Sequence, residues 1–233
     1  MDLTYTEIDH EDTPIGRLTL RAYRAETGES GHEILIDGAF LMASHGSHSE
    51  RAMADLAHRR LPAGSTGLSV LVGGLGAGHT LRAALDLPGI ERVEVVEIGR
   101  KVVDWNRTYF SETNGHAVDD PRVRIVHGHV LDVLQSAEAA YELVLLDVDN
   151  GPGWLAADSN RPLYGPLGLA ACRRALRAGG VLALWSPRAN LELESTLTAV
   201  FDGWIAEDTG RIGRAVGEPP SVIYLASTGA GKN

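Results

Sequence analysis

Two kinds of hydrophobic spacing divide the chain near Leu61. Ahead of that point, Arg17–Ala25 (RLTLRAYRA) and His32–Asp37 (HEILID) alternate apolar with polar side chains, the period of a strand with one buried face. DTPIG, ETGESG and Asp37-Gly38 supply turns, so the spacing predicts a small antiparallel sheet. Ser49–Leu61 (SERAMADLAHRRL) shifts to helical spacing behind a serine cap, and Pro62–Gly67 (PAGSTG) interrupts it. These signals divide the chain into an N-terminal β-element with a linking helix at 1–61 and a larger unit at 62–233.

Past the break, short apolar runs alternate with amphipathic ones. The runs LSVLVGG, VEVVEI, VRIVHG, ELVLLDV and VLALWS read as strands, with helices expected near 78–87, 99–110, 130–139, 165–178 and 191–201. That alternation predicts an α/β fold: a Rossmann-like, mostly parallel sheet with helices on both faces, behind the small antiparallel element. WIAEDTG and SVIYLAS read as a last pair of strands closing the sheet.

Composition narrows the classes. With 233 residues and 44% hydrophobic content, the chain can build a sizeable core without covalent staples. Its one cysteine, Cys172, excludes an intrachain disulfide and a cysteine-based zinc site, and its place in LAACRRAL reads as a buried helix face. The net charge of −10 and the scattered arginines speak against nucleic acid as a partner. No apolar run reaches the about 20 residues of a membrane span, and MDLTYTEIDHEDTP has no signal-peptide pattern, so no membrane partner and a cytoplasmic location are expected.

The candidate chemistry begins at VLVGGLGAGHTLRAAL, Val70–Leu85. Gly73, Gly74, Gly76 and Gly78 fall where the first parallel strand enters its helix, the place where such sheets bind ligands. The next strand ends in Glu97, a carboxylate able to accept both hydrogen bonds of a ribose diol. The dinucleotide pattern is G-x-G-x-x-G; here Gly74, Gly76 and Gly78 make G-x-G-x-G followed by His79. This spacing resembles the first motif of class I S-adenosylmethionine-dependent transferases, which implies a nucleoside thioether in place of a pyrophosphate.

Over residues 30–226 the chain further resembles the spermidine synthase family, the polyamine aminopropyltransferases, within the class I S-adenosylmethionine-dependent methyltransferase superfamily. ILIDGAFLM, VLVGGLGAGHTLRAAL, VEVVEIGRKVVDWNR, DDPRVRIVHGHVLDVL, YELVLLDVDNGPG and CRRALRAGGVLALWS follow in the family's order. The resemblance implies a homodimer, paired through the N-terminal sheets. Asp147 stands at the position of the family's proton-accepting aspartate. Other positions depart from the pattern. The family's aspartate in G-G-G-D-G, which holds the amine of the aminopropyl group, is Ala77 here. The acid that reads the adenine amino group is His129, followed by Val130. The early glutamine falls near Leu41, and the family's polyamine contacts fall on Ala43–Glu50 (ASHGSHSE).

In LLDVDNGPGW, Asp147 is the expected proton acceptor, with Asp149 and Asn150 holding the acceptor substrate; Asp149-Asn150-Gly151 is equally compatible with plain turn chemistry. Trp154 and Tyr164 flank a loop that either folds over the site, offering rings to a cation, or only packs. His79 and His129 are expected beside the ligand, the first near its tail and the second at the adenine edge. No convergent metal-ligand set is visible, and the roles of His45 and His48 stay open.

The expected cofactor is therefore S-adenosylmethionine, with its decarboxylated form as the alternative. Losing an acid at Ala77 favours the intact molecule, because an unpaired ammonium is costly in a closed site. The resulting expectation is methyl transfer to a small polar or cationic acceptor. Aminopropyl transfer to a diamine is the alternative, and a non-catalytic nucleoside-binding or scaffold protein the second.

Overall fold

The computed structural model describes residues 3–45, 48–148, 155, 160–212 and 221–229. Four antiparallel strands in sequential order form the first sheet: β1 (Leu3–Thr13), β2 (Gly16–Ala25), β3 (Ser30–Ile36) and β4 (Ala39–Ala43). Helix α1 (His48–His58) leads to a seven-stranded sheet. In chain order its elements are β5 (Leu68–Gly73), α2 (His79–Asp86), β6 (Ile90–Glu97), α3 (Arg100–Thr108), β7 (Val123–His127), α4 (Val130–Ser136) and β8 (Tyr141–Leu146). Then come α5 (Arg161–Tyr164), α6 (Pro166–Ala175), β9 (Leu176–Ser186), α7 (Leu191–Val200), β10 (Gly203–Asp208), α8 (Thr209–Ile212) and β11 (Val222–Ser227).

The strand order is β10-β11-β9-β8-β5-β6-β7. Strands β9, β8, β5, β6 and β7 run parallel, and β11 and β10 close the sheet antiparallel beside β9. The alternation of apolar strands and helices therefore does specify a doubly wound sheet, and WIAEDTG and SVIYLAS do form its final pair. Since β5 lies between β6 and β8, the chain reverses its direction of travel across the sheet after β7. The crevice beyond β5 and β8 is the topological switch point, where ligands bind in this architecture.

All six residues of β5 are buried, and β8 is buried at all but one position, as strands covered on both faces must be. One core layer joins β5, β6, α2 and α3 to the N-terminal sheet through Leu18, Leu20, Ile34, Met53 and Leu81. The opposite layer joins α4, α6 and α7 through Leu134, Leu169, Cys172 and Leu197. Cys172 is fully buried there, and burial pushes its thiol up to about 12. No helix among the described residues is long and apolar enough to cross a membrane.

Two local features differ from the expected pattern. The helix expected at 165–178 stops at Ala175, because Leu176 already pairs with Tyr141 as the start of β9. Arg177–Gly180 belongs to that strand, in a stretch where the register with β8 shifts. Strand β1 was hidden by its composition: its first five residues are exposed, so there is little apolar alternation to see. It is held by charge instead. A register shift between Glu7 and Asp9 marks the point where Asp9 turns toward α3. There Asp9 accepts from Lys101 Nζ at 2.5 Å and Trp105 Nε1 at 3.0 Å. Glu11 accepts from the backbone N–H groups of Arg100 and Lys101, capping the helix.

The hydrogen bonds from Lys101 and Trp105 hold the Asp9 carboxyl down at about 2. A depressed carboxylate stabilises the fold fully above its unfolded value near 3.9 and loses that contribution as pH falls toward 2. In urea unfolding, Asp9→Asn should be less stable than the parent at pH 5, with the gap closing between about pH 4 and 2. A gap independent of pH would mean that Asp9 acts through packing alone.

Candidate active site

Three glycines at the end of β5 take left-handed backbone conformations: Gly74 at φ 82°, Gly76 at φ 52° and Gly78 at φ 83°. At Gly74 a Cβ would come within 2.8 Å of the Asp147 carbonyl oxygen, so only glycine lets β5 and the end of β8 approach so closely. At Gly78 a Cβ would meet Asn106 Oδ1 at 2.7 Å and Asn114 Nδ2 at 2.8 Å. Those two buried asparagines hold the turn from below. Asn106 Nδ2 donates to the Gly76 carbonyl at 2.7 Å, while Asn114 Nδ2 donates to the Ala77 carbonyl at 3.1 Å and to Asn106 Oδ1 at 2.8 Å.

Above the turn lies a cavity of about 560 Å³, roofed by the N-terminal sheet. Met42 of β4 packs beside Gly76, and Ala43 of β4 and Ile15, at the tip of the β1–β2 hairpin, also line the cavity. Glu97 is buried at the end of β6, accepting from the Leu75 N–H at 2.8 Å and the Gly99 N–H at 2.7 Å. Burial raises its pKa against the pull of those bonds. Each oxygen keeps a lone pair that a ribose hydroxyl can use.

Asp147 follows β8 directly, and its Oδ2 accepts from Thr80 Oγ1 at 2.8 Å. Burial first, and then the charge of Glu50, push its carboxyl up to about 7, while Thr80 and His79 pull it down. A carboxyl poised there can take a proton at neutral pH. His129 caps α4, its Nδ1 accepting from the Leu131 N–H at 3.2 Å. The Nε2 atoms of His48, His79 and His129 and the Nε1 of Trp185 are buried without partners among the described residues, and all four side chains line the cavity.

The predicted residues Gly74, Gly76, His79, Glu97, His129, Val130 and Asp147 thus line one cavity. Gly73 packs behind them, where a Cβ would strike Leu146 and Val130, and Gly78 sits on the asparagines. Tyr164 does not line the cavity: it is buried, and its hydroxyl donates to the Val148 carbonyl at 2.5 Å, bracing the chain beyond β8. Asp149, Asn150 and Trp154 lie outside the described residues, as does most of the loop expected to form a lid.

Sequence reasoning missed Glu50, Thr80, Trp185, Thr209 and Ser221, all of which line the cavity. The resemblance located the stretch containing Glu50 without singling it out, since an acid in the first turn of a helix reads as ordinary capping. His45 shares a hydrogen bond of 2.9 Å with the Tyr23 hydroxyl. No group of three or more His, Cys, Asp or Glu side chains among the described residues is arranged to hold a metal ion.

The spermine/spermidine synthase domain matches residues 51–201, well over half of the chain. The chain belongs to this family. A polyamine aminopropyltransferase of Prochlorococcus marinus is 28% identical over 177 residues, which cover 76% of this chain and 58% of that protein. A second, of Nitrosomonas europaea, is 31% identical over 66% of this chain and 45% of its own length. Putrescine N-methyltransferase 1 of Nicotiana tabacum is 32% identical over 67% of this chain and 40% of its own length. The chain thus spans about half the length of these curated relatives. Among solved structures, a spermidine synthase in complex with the transition-state analogue AdoDATO superposes with a TM-score of 0.77 at 19% identity, covering 96% of this chain and 74% of that one. The spermidine synthase of Thermotoga maritima gives 0.74, also at 19% identity, covering 96% and 73%. The spermidine synthase fold, with its N-terminal antiparallel sheet, is therefore the fold of this chain. Family members transfer groups from S-adenosylmethionine or its decarboxylated form.

The asparagine pair generates a prediction. Asn114→Ala leaves the buried Ala77 carbonyl and Asn106 Oδ1 short of a donor, which should cost about 1–3 kcal/mol in urea unfolding. It should also weaken binding of an adenosyl ligand in calorimetry, because the turn loses its support. Unchanged affinity in a destabilised variant would confine the pair to a folding role.

Proposed function

We propose that the chain transfers an aminopropyl group from decarboxylated S-adenosylmethionine to a small diamine. The observation that carries this reading is the charge of the cavity. Glu50, Glu97 and Asp147 line it, and no lysine or arginine does among the described residues. The carboxylate of S-adenosylmethionine would enter a cavity whose described lining holds three acids and no fixed cation. The decarboxylated donor and a diamine bring only positive charge. The expectation of methyl transfer rested on Ala77, with His129 and the changed entry segment also set against aminopropyl transfer, whereas acids suited to a cationic ligand stand elsewhere on the cavity wall.

In this reading Glu97 takes the ribose, His129 and Val130 lie along the adenine, and Gly74 and Gly76 let the thioether approach the backbone. A neutral acceptor amine attacks the donor's methylene beside sulfur. The carbon–sulfur bond breaks with its electron pair going to sulfur, and the amine proton passes to Asp147. The sulfonium charge disappears in this step, so a poorly hydrated, partly apolar cavity favours the transfer.

One observation favours a second reading. Ala77 is buried in the glycine turn, and one similar protein is a putrescine N-methyltransferase; methyl transfer to the same class of acceptor would need no carboxylate there.

Calorimetric titration with both donors, followed by turnover with putrescine, tests the choice. Affinity for the decarboxylated donor should exceed that for S-adenosylmethionine by about tenfold or more, the size of one charge-assisted hydrogen bond. The reverse preference moves methyl transfer to the front, and binding of neither leaves a non-catalytic protein. Asp147→Asn should lower kcat by about 10²–10⁴ with donor affinity kept. The parent's rate should rise with pH through about 7, as Asp147 loses its proton and becomes able to accept another. A flat profile would remove Asp147 from proton transfer.

A further inference from the structure

On the reading above, the donor lies across the ends of β5, β6 and β7, where the glycine turn, Glu97 and His129 line the cavity. The cavity continues past β8 to the side of β9 and β11, and the register places one side chain beside Asp147 there. Leu146 pairs with Leu184, and Asp147 extends β8 by one residue, its N–H still donating to the Gly73 carbonyl at 3.2 Å. The next residue of β9 is Trp185, which pairs with Ile223 of β11. Adjacent residues of two paired parallel strands share a face, on backbones about 4.8 Å apart, and successive residues alternate between faces. Leu145 and Ala183 belong to the core layer shared with α1, and Leu146 and Leu184 to the opposite one. Asp147 and Trp185 therefore return to the first face, and Trp185 packs against that layer.

Trp185 is half-buried and lines the cavity, while its Nε1 is fully enclosed, so the surface its side chain presents is carbon. Pro187 lines the same end of the cavity. Thr209 and Ser221 line it too, but both are buried and satisfy each other. Thr209 Oγ1 accepts from the Ser221 N–H at 2.9 Å, donates to the Ser221 carbonyl at 3.1 Å and lies 2.9 Å from the Ser221 hydroxyl. Beside Asp147, then, the wall is apolar or already hydrogen-bonded. We propose that Trp185 determines acceptor specificity: the amine nitrogen meets Asp147, and the hydrocarbon chain behind it lies on the Trp185 ring. This rests on the reading of an amine acceptor at Asp147 and holds for either donor. The ligand class it selects is a primary amine followed by an unbranched methylene chain. Each methylene removed from water against the ring favours binding, whereas a hydroxyl on that chain would be desolvated without a partner.

The test is calorimetric titration of the protein, saturated with 5′-methylthioadenosine, with propylamine, butylamine and pentylamine, which report the chain without a second charge. The parent's affinity should rise about fourfold with each added methylene. Trp185→Ala and Trp185→Gln should flatten that rise, and Trp185→Phe, which keeps a ring, should retain most of it. All three variants should bind 5′-methylthioadenosine as the parent does, which also reports that they are folded. In turnover, Trp185→Ala should raise KM for putrescine about tenfold with kcat nearly unchanged. If the parent shows the rise and both Trp185→Ala and Trp185→Gln keep it, the assignment to Trp185 is overturned and the amine reading stands. A parent that binds amines with no gain per methylene overturns it as well. If the parent binds no amine beside the nucleoside, the amine reading fails and takes this assignment with it. A preference for S-adenosylmethionine as donor would overturn the aminopropyl reading and leave Trp185 its role.

Discussion

The close approach of Gly74 to the Asp147 carbonyl is the contact on which the site depends. A Cβ at Gly74 would lie 2.8 Å from that oxygen, so any side chain would push the end of β8 away from the turn after β5. With glycine the two strand ends stay together, and the Asp147 side chain reaches Thr80 at the start of α2. Glu97 adds the third wall by accepting from the Leu75 N–H of the same turn. Three neighbouring strands thereby bring a bare backbone, the Glu97 carboxylate and the Asp147 carboxylate to one crevice. The parallel sheet explains the location of the crevice, and the glycine contact explains why the groups meet in it.

Its closure comes from the other sheet. Strand β4 contributes Met42 and Ala43 to the lining, the β1–β2 hairpin Ile15 and the start of α1 Glu50. Asp9 and Glu11 tie β1 to α3, which descends from β6 and Glu97, so the roof is fastened to the floor it covers. The cavity is therefore a property of two sheets together. Its charge is shared as well: Glu97 and Asp147 come from the large sheet and Glu50 from the segment leading to it. Coulombic repulsion between Glu50 and Asp147 is relieved either by a proton or by a cation.

The parallel sheet was legible because buried strands are apolar runs and helices repeat at another period; nothing in β5 or β8 competes with that signal. The glycine turn and Glu97 were legible because spacing relative to a strand end is a local property of the chain. Three other features were not. Strand β1 is polar along most of its length and is tied down by the Asp9–Lys101 ion pair and by backbone N–H groups bonded to Glu11, partners that lie about ninety residues away. The start of β9 sits in RAGG, where the local pattern continues a helix and only pairing with Tyr141 ends it. Asn106 and Asn114 read as surface polar residues on either side of a helix end, yet both are fully buried because they satisfy the carbonyls of a turn some thirty residues earlier. In each case a contact distant in sequence overrides the local pattern.

The same limit governs what Ala77 can say about the ligand. A missing acid in a motif shows that one atom is gone, and it says nothing about which atom of the folded cavity now faces the ligand. Electrostatic selection is made by the whole wall, and a buried lone pair can come from a carboxylate or from an imidazole whose other nitrogen is engaged. At His129 the Leu131 N–H engages Nδ1. A backbone group of α4 thus decides which nitrogen of His129 accepts. A histidine in sequence is ambiguous between donor and acceptor, and the fold removes that ambiguity at His129.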